Sequence, residues 1–452
     1  MKKIIFAFLL IAVFSIPVFA GGGADATPIK VWVGREAVEF YQKVAQDYIS
    51  DYNARNPRNL YPYTIIVEAM DATGAAGTFL QDTTAGADIF TIPHNQLSQL
   101  VSSTSNSIGP VTSQALINQI NADNPSMFLD VIKRRVGGQE YIFGVPYRSQ
   151  SLVLFYNKSF LTETDVQTWE GILAKAKTLG KQSLTLVDTA GFNDSFLVLS
   201  TRESDGRAIA DIYLNKTLAN CNFTSDLAVA AVKWGQRFFT DSNGAKVQSG
   251  SGWEVELRNE ATLCFIGGAW HYNAVRTALG SNLGIALLPN FTLTAADVTG
   301  TNIAASTVMR SGTFADTLMF VMKKLDINVP AQKSRADALQ DLMLWLSKKS
   351  VQQDAFTALQ QLPAYKNARS EFTGMNANTL EGIFARAQLD MFSRGRPQPF
   401  GESLLMNNYY YSTGAPAILN DILINRGSQY GTLQQIKDGL ATIQRIWTTG
   451  RR

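Results

Sequence analysis

The chain has 452 residues, 46% of them hydrophobic, with 40 Lys and Arg against 37 Asp and Glu and a formal net charge of +3. That length is too great for one ordinary core and implies two domains or more. The near balance of charge argues against a nucleic-acid binder, which would carry a basic patch or stripe.

The first twenty residues read as an export signal. Lys2 and Lys3 give a positive start, Ile4 to Ile16 is apolar apart from Ser15, Pro17 ends the run, and Val18-Phe19-Ala20 offers a cleavage site after Ala20. The run is too short for a membrane span, which needs ~20 residues. No cysteine sits near the cut, as a lipoprotein would require, and no later stretch reaches transmembrane length without charges. The mature chain would then start at Gly21, with 21–27 a flexible lead-in. Without Lys2 and Lys3 it holds 38 basic residues against 37 acidic. Cys221 and Cys264 either pair in an oxidising compartment or remain two thiols; their spacing does not decide.

Strand-like and helix-like segments then alternate. Ile29 to Val33 is a short apolar run ending at Gly34. Glu36 to Tyr52 carries Val38, Tyr41, Val44, Ala45, Tyr48 and Tyr52 at helical spacing. Tyr63 to Val67 is strand-like, Phe79 to Thr84 ends a second helix, Asp88 to Ile92 is a third strand, and Asn95 to Val101 opens a third helix. Such alternation predicts a parallel sheet covered on both faces. Val131 to Val136, Gly137-Gly138 and Tyr141 to Val145 read as a hairpin. A second alternating set follows: strand Leu152 to Tyr156, helix Trp169 to Leu179, strand Leu184 to Val187, a helix around Phe196, helix Asp226 to Phe239, strands Ala261 to Ile266 and Leu283 to Leu288. Thr317 to Met322 reads as a lone apolar strand. Everything beyond Ser334, the expected N-cap, reads as helical, and Thr432 with Gln435 forms a capping box. Two α/β sets with a chain that returns late imply two lobes joined by more than one crossing. Ligands of open α/β sheets sit beyond the carboxyl ends of the strands.

Enzyme signatures are largely missing. The chain has two histidines, His94 and His271, and lacks H-E-x-x-H, a phosphate-binding loop, G-x-S-x-G and G-x-G-x-x-G. Two cysteines cannot build a paired-cysteine metal site. A pair of carboxylates for glycoside hydrolysis stays open, because its members can lie far apart in sequence.

Several landmarks occur in order: Val31-Trp32-Val33; Ala87-Asp88-Ile89-Phe90-Thr91-Ile92-Pro93-His94-Asn95; Tyr141-Ile142-Phe143-Gly144-Val145-Pro146, then Leu152 to Lys158 and Thr168-Trp169-Glu170; and Ala261 to Trp270. Together they resemble the extracellular solute-binding proteins of carbohydrate ABC importers, the maltose-binding-protein group (family 1), over nearly the whole mature chain. The resemblance implies an α/β, two-lobed periplasmic-binding-protein fold with an interlobe ligand cleft and hinge. It implies a soluble, monomeric periplasmic protein without cofactor or catalytic group, which delivers a sugar or oligosaccharide to inner-membrane permease subunits. One lobe would hold residues 21–146 and 317–368, the other 147–316 and 369–452.

Sugars ask for planar hydrogen-bonding side chains to meet paired hydroxyls and for aromatic faces to cover C–H surface. The resemblance places polar ligand contacts after the first strand, at Gly34, Arg35 and Glu36, although Glu36 equally suits a helix start. His94 and Asn95 follow the third strand; His94 suits a buried structural role, and Asn95 stands where the family often has an acid and is also a favoured helix cap. Gln150 aligns with a family glutamate between the lobes, and Arg148 beside it suits an acidic ligand or a salt bridge. Phe192 and Asn193 fall near the family's second-lobe aromatic. Trp270 follows Gly267-Gly268 at a strand end, where an indole can cover a sugar ring, with His271 and Tyr272 in support. Tyr409, Tyr410 and Tyr411 lie where the family stacks aromatics on sugar, Tyr410 first among them; helical geometry turns successive residues about 100° apart, so not all three can face one cleft. The competing readings are a same-fold receptor for an anion, ferric iron or a polyamine, a secreted glycoside hydrolase, and a receptor that presents ligand to a membrane sensor.

Overall fold

The strand Ile29–Val33 is buried almost throughout, and the chain turns from it through Arg35–Ala37 into the helix Val38–Arg55. This helix directs Tyr41, Val44, Ala45 and Tyr48 inward, four of the positions that the helical spacing marks. The structure is a computed structural model that describes residues 27–102, 106–187, 193, 195–209, 222–248, 251–368, 371, 378–396, 414–424 and 430–449. The expected signal segment, the lead-in up to residue 26, Phe192, Cys221 and the Tyr409–Tyr411 triplet lie outside the described residues.

The first sheet begins as expected. Strands Ile65–Ala69 and Ile89–Pro93 flank Ile29–Val33, both parallel to it. The sheet as a whole is mixed, however, and the expectation of a parallel sheet is corrected by its next strand. Asp316–Lys323 is not a lone strand: it pairs antiparallel with Ile89–Pro93 on one side, and with Val145–Gln150 and Ile108–Gly109 on the other. Entry direction explains the reversal. The parallel strands run toward the edge where Gly34, Ala69 and Pro93 lie, whereas this strand enters the sheet at that edge with Asp316 and runs away from it. The hairpin forms as Lys133–Val136 and Gln139–Ile142. Its two-residue loop, Gly137-Gly138, has φ of +61° and +83°, the pair of positive values that a tight turn between twisted strands needs.

The helix after the return strand starts earlier than expected. It spans Pro330–Leu346 with Val329 as N-cap, so Ser334 lies inside it. Proline at the first helical position costs no hydrogen bond and has its φ already set. One turn on, Arg335 donates to both carboxylate oxygens of Asp88, at 3.1 and 2.8 Å, and to the carbonyls of Thr27 and Pro28. Asp88 also accepts from the Lys30 amide. One ion pair thus ties the returning helix to the first and third strands.

The second sheet runs in the order Ala245–Val247, Gln182–Leu186, Thr262–Gly267, Val153–Asn157, Leu283–Ala286. Gln182–Leu186 is parallel to both neighbours, and Val153–Asn157 antiparallel to both. The Thr168-Trp169-Glu170 sequence acts structurally here. Thr168 Oγ1 accepts from the Gly171 amide and caps the helix Trp169–Leu179, which Gly180 closes at φ +63°. Trp169 is fully buried and donates through Nε1 to Ser311 Oγ. Glu170 Oε1 accepts from Trp234 Nε1 at 2.9 Å and from the Thr292 amide at 3.0 Å. Far along the chain, Thr432 and Gln435 complete their reciprocal capping box. Cys264 is fully buried in the central strand, and burial pushes its thiol pKa up.

Buried side chains gather into two main cores, one from positions 29–147 and 318–351, the other from 152–314 and 384–446. Short segments stitch the junction. The Ser149 amide donates to the Leu362 carbonyl at 2.8 Å, and Ser149 Oγ to Pro363 at 2.7 Å. Ser151 Oγ donates to the Gln388 carbonyl, and the Leu152 amide to Thr313 Oγ1. Arg396 exchanges backbone bonds with Thr313 and Ala315. A small third core of Phe356, Leu362, Tyr365, Ala368, Ala385 and Leu389 fills the space beside them.

Glu170→Met leaves the buried Trp234 N–H and the Thr292 amide without their acceptor. An unmet buried donor costs about 1–3 kcal/mol, so this variant should melt clearly below wild type, whereas Glu254→Gln, which gives up only a 3.9 Å ion pair to Arg258 on a half-buried helix face, should shift stability by well under about 1 kcal/mol. Thermal melts of the two variants side by side test this; equal melting would refute the role given to Glu170.

Candidate functional site

The residues just past the strand ends converge on one cleft of about 790 Å³ between the two cores. That volume falls in the range of small-molecule sites, ~300–1,000 Å³. From the first sheet come Gly34–Ala37, Ala69–Thr73 and Pro93–Gln96 minus His94, each segment following a parallel strand. The antiparallel strands contribute from their cleft-facing ends: Tyr147, Arg148 and Gln150 from one, Asp316 and Leu318 from the other. Val187, Asn193, Trp270 and His271 face them from the second sheet, and Gln361 enters on a crossing segment.

The structure therefore brings together Arg35, Glu36, Asn95, Gln150, Asn193 and Trp270 from the sequence-predicted set. His94 does not line the cleft. It is 1% exposed and places Nδ1 3.7 Å from Asp316 Oδ1, behind the wall. Phe192, Tyr409 and Tyr410 lie outside the described residues. Asp71, Tyr147, Asp316 and Gln361 were missed. Asp71 could have been found, since it follows the second strand as Asn95 follows the third. Asp316 could not, because it starts an antiparallel strand, and no local pattern marks a glutamine on a crossing.

On the first-sheet side the site is polar and planar. Asn95 makes no helix-capping bond. Its Oδ1 and the Gln361 Oε1 are buried and have no hydrogen-bond partner among the described residues. Glu36 Oε1 lies 3.5 Å from Arg148 Nη1 and 3.5 Å from Gln361 Nε2, both at the outer limit of contact. Asp71 is spent on the start of the helix Ala72–Gln81, accepting from the Thr73 amide at 2.8 Å and its hydroxyl at 2.7 Å. Tyr147 stacks on Phe320 at 4.2 Å between ring centroids, and burial pushes its pKa up to about 12, so it stays a neutral donor.

The opposite wall presents Trp270, which at 38% exposure is the most exposed aromatic side chain of the cleft among the described residues. Backbone geometry holds the indole in place. A Cβ built on Gly268 would lie 2.2 Å from the ring, and one on Gly267 would lie 2.7 Å from His271 Nδ1. Both rings can lie close to the strand end only because those positions carry no side chain. His271 packs among Trp253, Phe265 and Trp270 with centroids 5.0, 5.0 and 5.4 Å away. Burial lowers its pKa to about 4, so the imidazole is neutral at pH 7 and supports Trp270 without adding charge. Among the described residues, no group of three His, Cys, Asp or Glu side chains is placed to hold a metal ion.

The His271 shift has a sign. Unfolded, the ring titrates near 6.5; folded, near 4. Between those values the unfolded chain binds more protons, so stability falls as pH drops through that window. The loss approaches about 3 kcal/mol at its limit. Melting at pH 7 and pH 4.5 should show a smaller acid-induced drop for His271→Gln than for wild type; equal drops would place the acid sensitivity elsewhere.

Comparison with known proteins agrees with this architecture. The chain is 21% identical over 403 residues to a galactooligosaccharide-binding protein of Bacillus subtilis (strain 168), covering 85% of this chain and 86% of that one. Its fold matches a maltodextrin-binding protein of L. casei BL23 solved without ligand, with a TM-score of 0.67 at 17% identity over 94% of this chain and 100% of that chain. It also matches a cyclo/maltodextrin-binding protein complexed with maltotetraose, with a TM-score of 0.63 at 18% identity over 94% and 99%. These likenesses establish the two-lobed α/β fold. A family profile described as bacterial extracellular solute-binding protein matches residues 47–378, and the chain belongs to that family.

Proposed function

We propose that this solute-binding protein captures a sugar or oligosaccharide outside the cytoplasmic membrane and delivers it to the permease of an ABC importer. The observation that carries the reading is the two-sided cleft: an exposed indole face from one sheet opposite planar amides and carboxylates from the other. An indole covers the C–H face of a pyranose, and planar amides meet its hydroxyls in pairs. The galactooligosaccharide-binding relative supports the same class of ligand. No bond needs to be made or broken, so the function is binding and not catalysis.

The working cycle is closure of two lobes, 21–146 with 317–368 against 147–316 with 369–452. The separation of the two cores supports this division. A ligand that touches both walls binds the closed form better and so shifts the equilibrium toward it. An affinity of ~1 μM, about −8 kcal/mol, is within reach of a stacked ring plus several paired hydrogen bonds after closure costs. The protein acts as a monomer, freed of its first twenty residues and carrying no lipid. Among the described residues, no helix is long and apolar enough to cross a membrane.

A thermal-shift screen against mono- and oligosaccharides, amino acids, polyamines, phosphate and ferric citrate tests the reading. One sugar class should raise the melting temperature saturably, by the equivalent of about 2.7 kcal/mol at a hundredfold excess over Kd. Trp270→Ala should weaken that sugar at least about tenfold. Gly268→Ala, which displaces the indole without deleting it, should weaken it too while the fold persists. A shift with a non-sugar alone would sink the carbohydrate assignment.

A further inference from the structure

Arg148 is 5% exposed and lines the cleft floor. Its Nε is buried without a hydrogen-bond partner among the described residues. The head group's ion-pair contact is the long one, 3.5 Å from Nη1 to Glu36. Buried guanidinium groups are ordinarily paired and fully hydrogen-bonded, since desolvation of the charge otherwise goes uncompensated. Glu36 is a poor permanent partner. Its side chain is 47% exposed, it touches one terminal nitrogen, and Gln361 draws on the same oxygen. Of the other acids of the cleft, Asp71 is engaged in its helix cap and Asp316 lies 3.7 Å from His94; among the described residues neither is paired with Arg148. The starts of three helices, Val38–Arg55, Ala72–Gln81 and Tyr272–Leu279, also border the cleft and add partial positive charge.

Resting on the carbohydrate reading above, we propose that the ligand is an acidic sugar, a uronic-acid-containing oligosaccharide. Its carboxylate takes the place of Glu36 on the terminal nitrogens of Arg148, in a two-oxygen pair, and displaces Glu36 toward solvent. Arginine is suited to this, because its planar fork matches a carboxylate bidentately. The neutral part of the sugar then lies against Trp270, with Asn95, Gln150 and Gln361 around its hydroxyls.

Calorimetric titration of the mature protein with matched pairs tests the proposal: galactobiose and digalacturonate, cellobiose and cellobiouronate, maltose and maltobiouronate. At least one uronate should bind about tenfold or more tighter than its neutral partner. Arg148→Gln should bring that ratio within about twofold, a loss of most of the charge-assisted contribution. Glu36→Gln, at an exposed position, should raise the ratio by removing the competing carboxylate, and it serves should the Arg148 variant not fold. Neutral sugars binding as tightly as their uronates would overturn the acidic-sugar proposal and leave the carbohydrate reading standing. Tartrate or citrate binding in place of every sugar, or no binding by any probe, would overturn both.

Discussion

The strand Asp316–Lys323 governs the rest of the structure. The chain leaves the first sheet after Gln150, builds a second sheet, and must come back into the interior of the first. A strand returning from the far core enters at the edge nearest that core, so it runs antiparallel to the neighbours it joins. Three consequences follow from this one passage. The two cores are joined by short neighbouring segments in place of one flexible tether. The entry point, Asp316, becomes part of the cleft floor beside Gln150 and Arg148. The helix that follows docks against the first sheet through Arg335 and Asp88, which fixes the return.

The cleft inherits its character from the same geometry. Carboxyl ends of parallel strands and the turns that follow them place unpaired backbone and polar side chains at one edge of each sheet. Two such edges facing each other make a concave site whose walls differ. One wall carries amides, acids and two arginines; the other carries an indole propped on glycine and a neutral imidazole. Neither wall alone buries a ligand. On the proposed reading, binding is coupled to approach of the lobes, and the weakly paired guanidinium of Arg148 is a group that a ligand can engage.

Much of the fold is legible in the sequence because local physics fixes it. Helical spacing in Tyr41, Val44, Ala45 and Tyr48, the double glycine at 137 and 138, the Thr168 cap and the Thr432–Gln435 box are all determined within a few residues. The helix start at Pro330 was also within reach, since proline at a first turn is a local signal; Ser334 was the weaker marker. Of the cleft, the residues that follow parallel strands, Arg35, Glu36 and Asn95, and the tryptophan after Gly267-Gly268 are legible in the same way.

The remainder depends on packing between distant segments. That Thr317 to Met322 sits inside a sheet depends on partners 168 to 233 positions away, a separation over which no periodicity carries information. That His94 faces Asp316 while Asn95 faces the cleft depends on how one turn of chain is rotated once its neighbours are in place. Asp316, Gln361 and the unsatisfied state of Arg148 belong to the same class. Composition and spacing name the side chains a segment offers; burial and the loss of water around them, which set what they can bind, exist only after distant segments have packed.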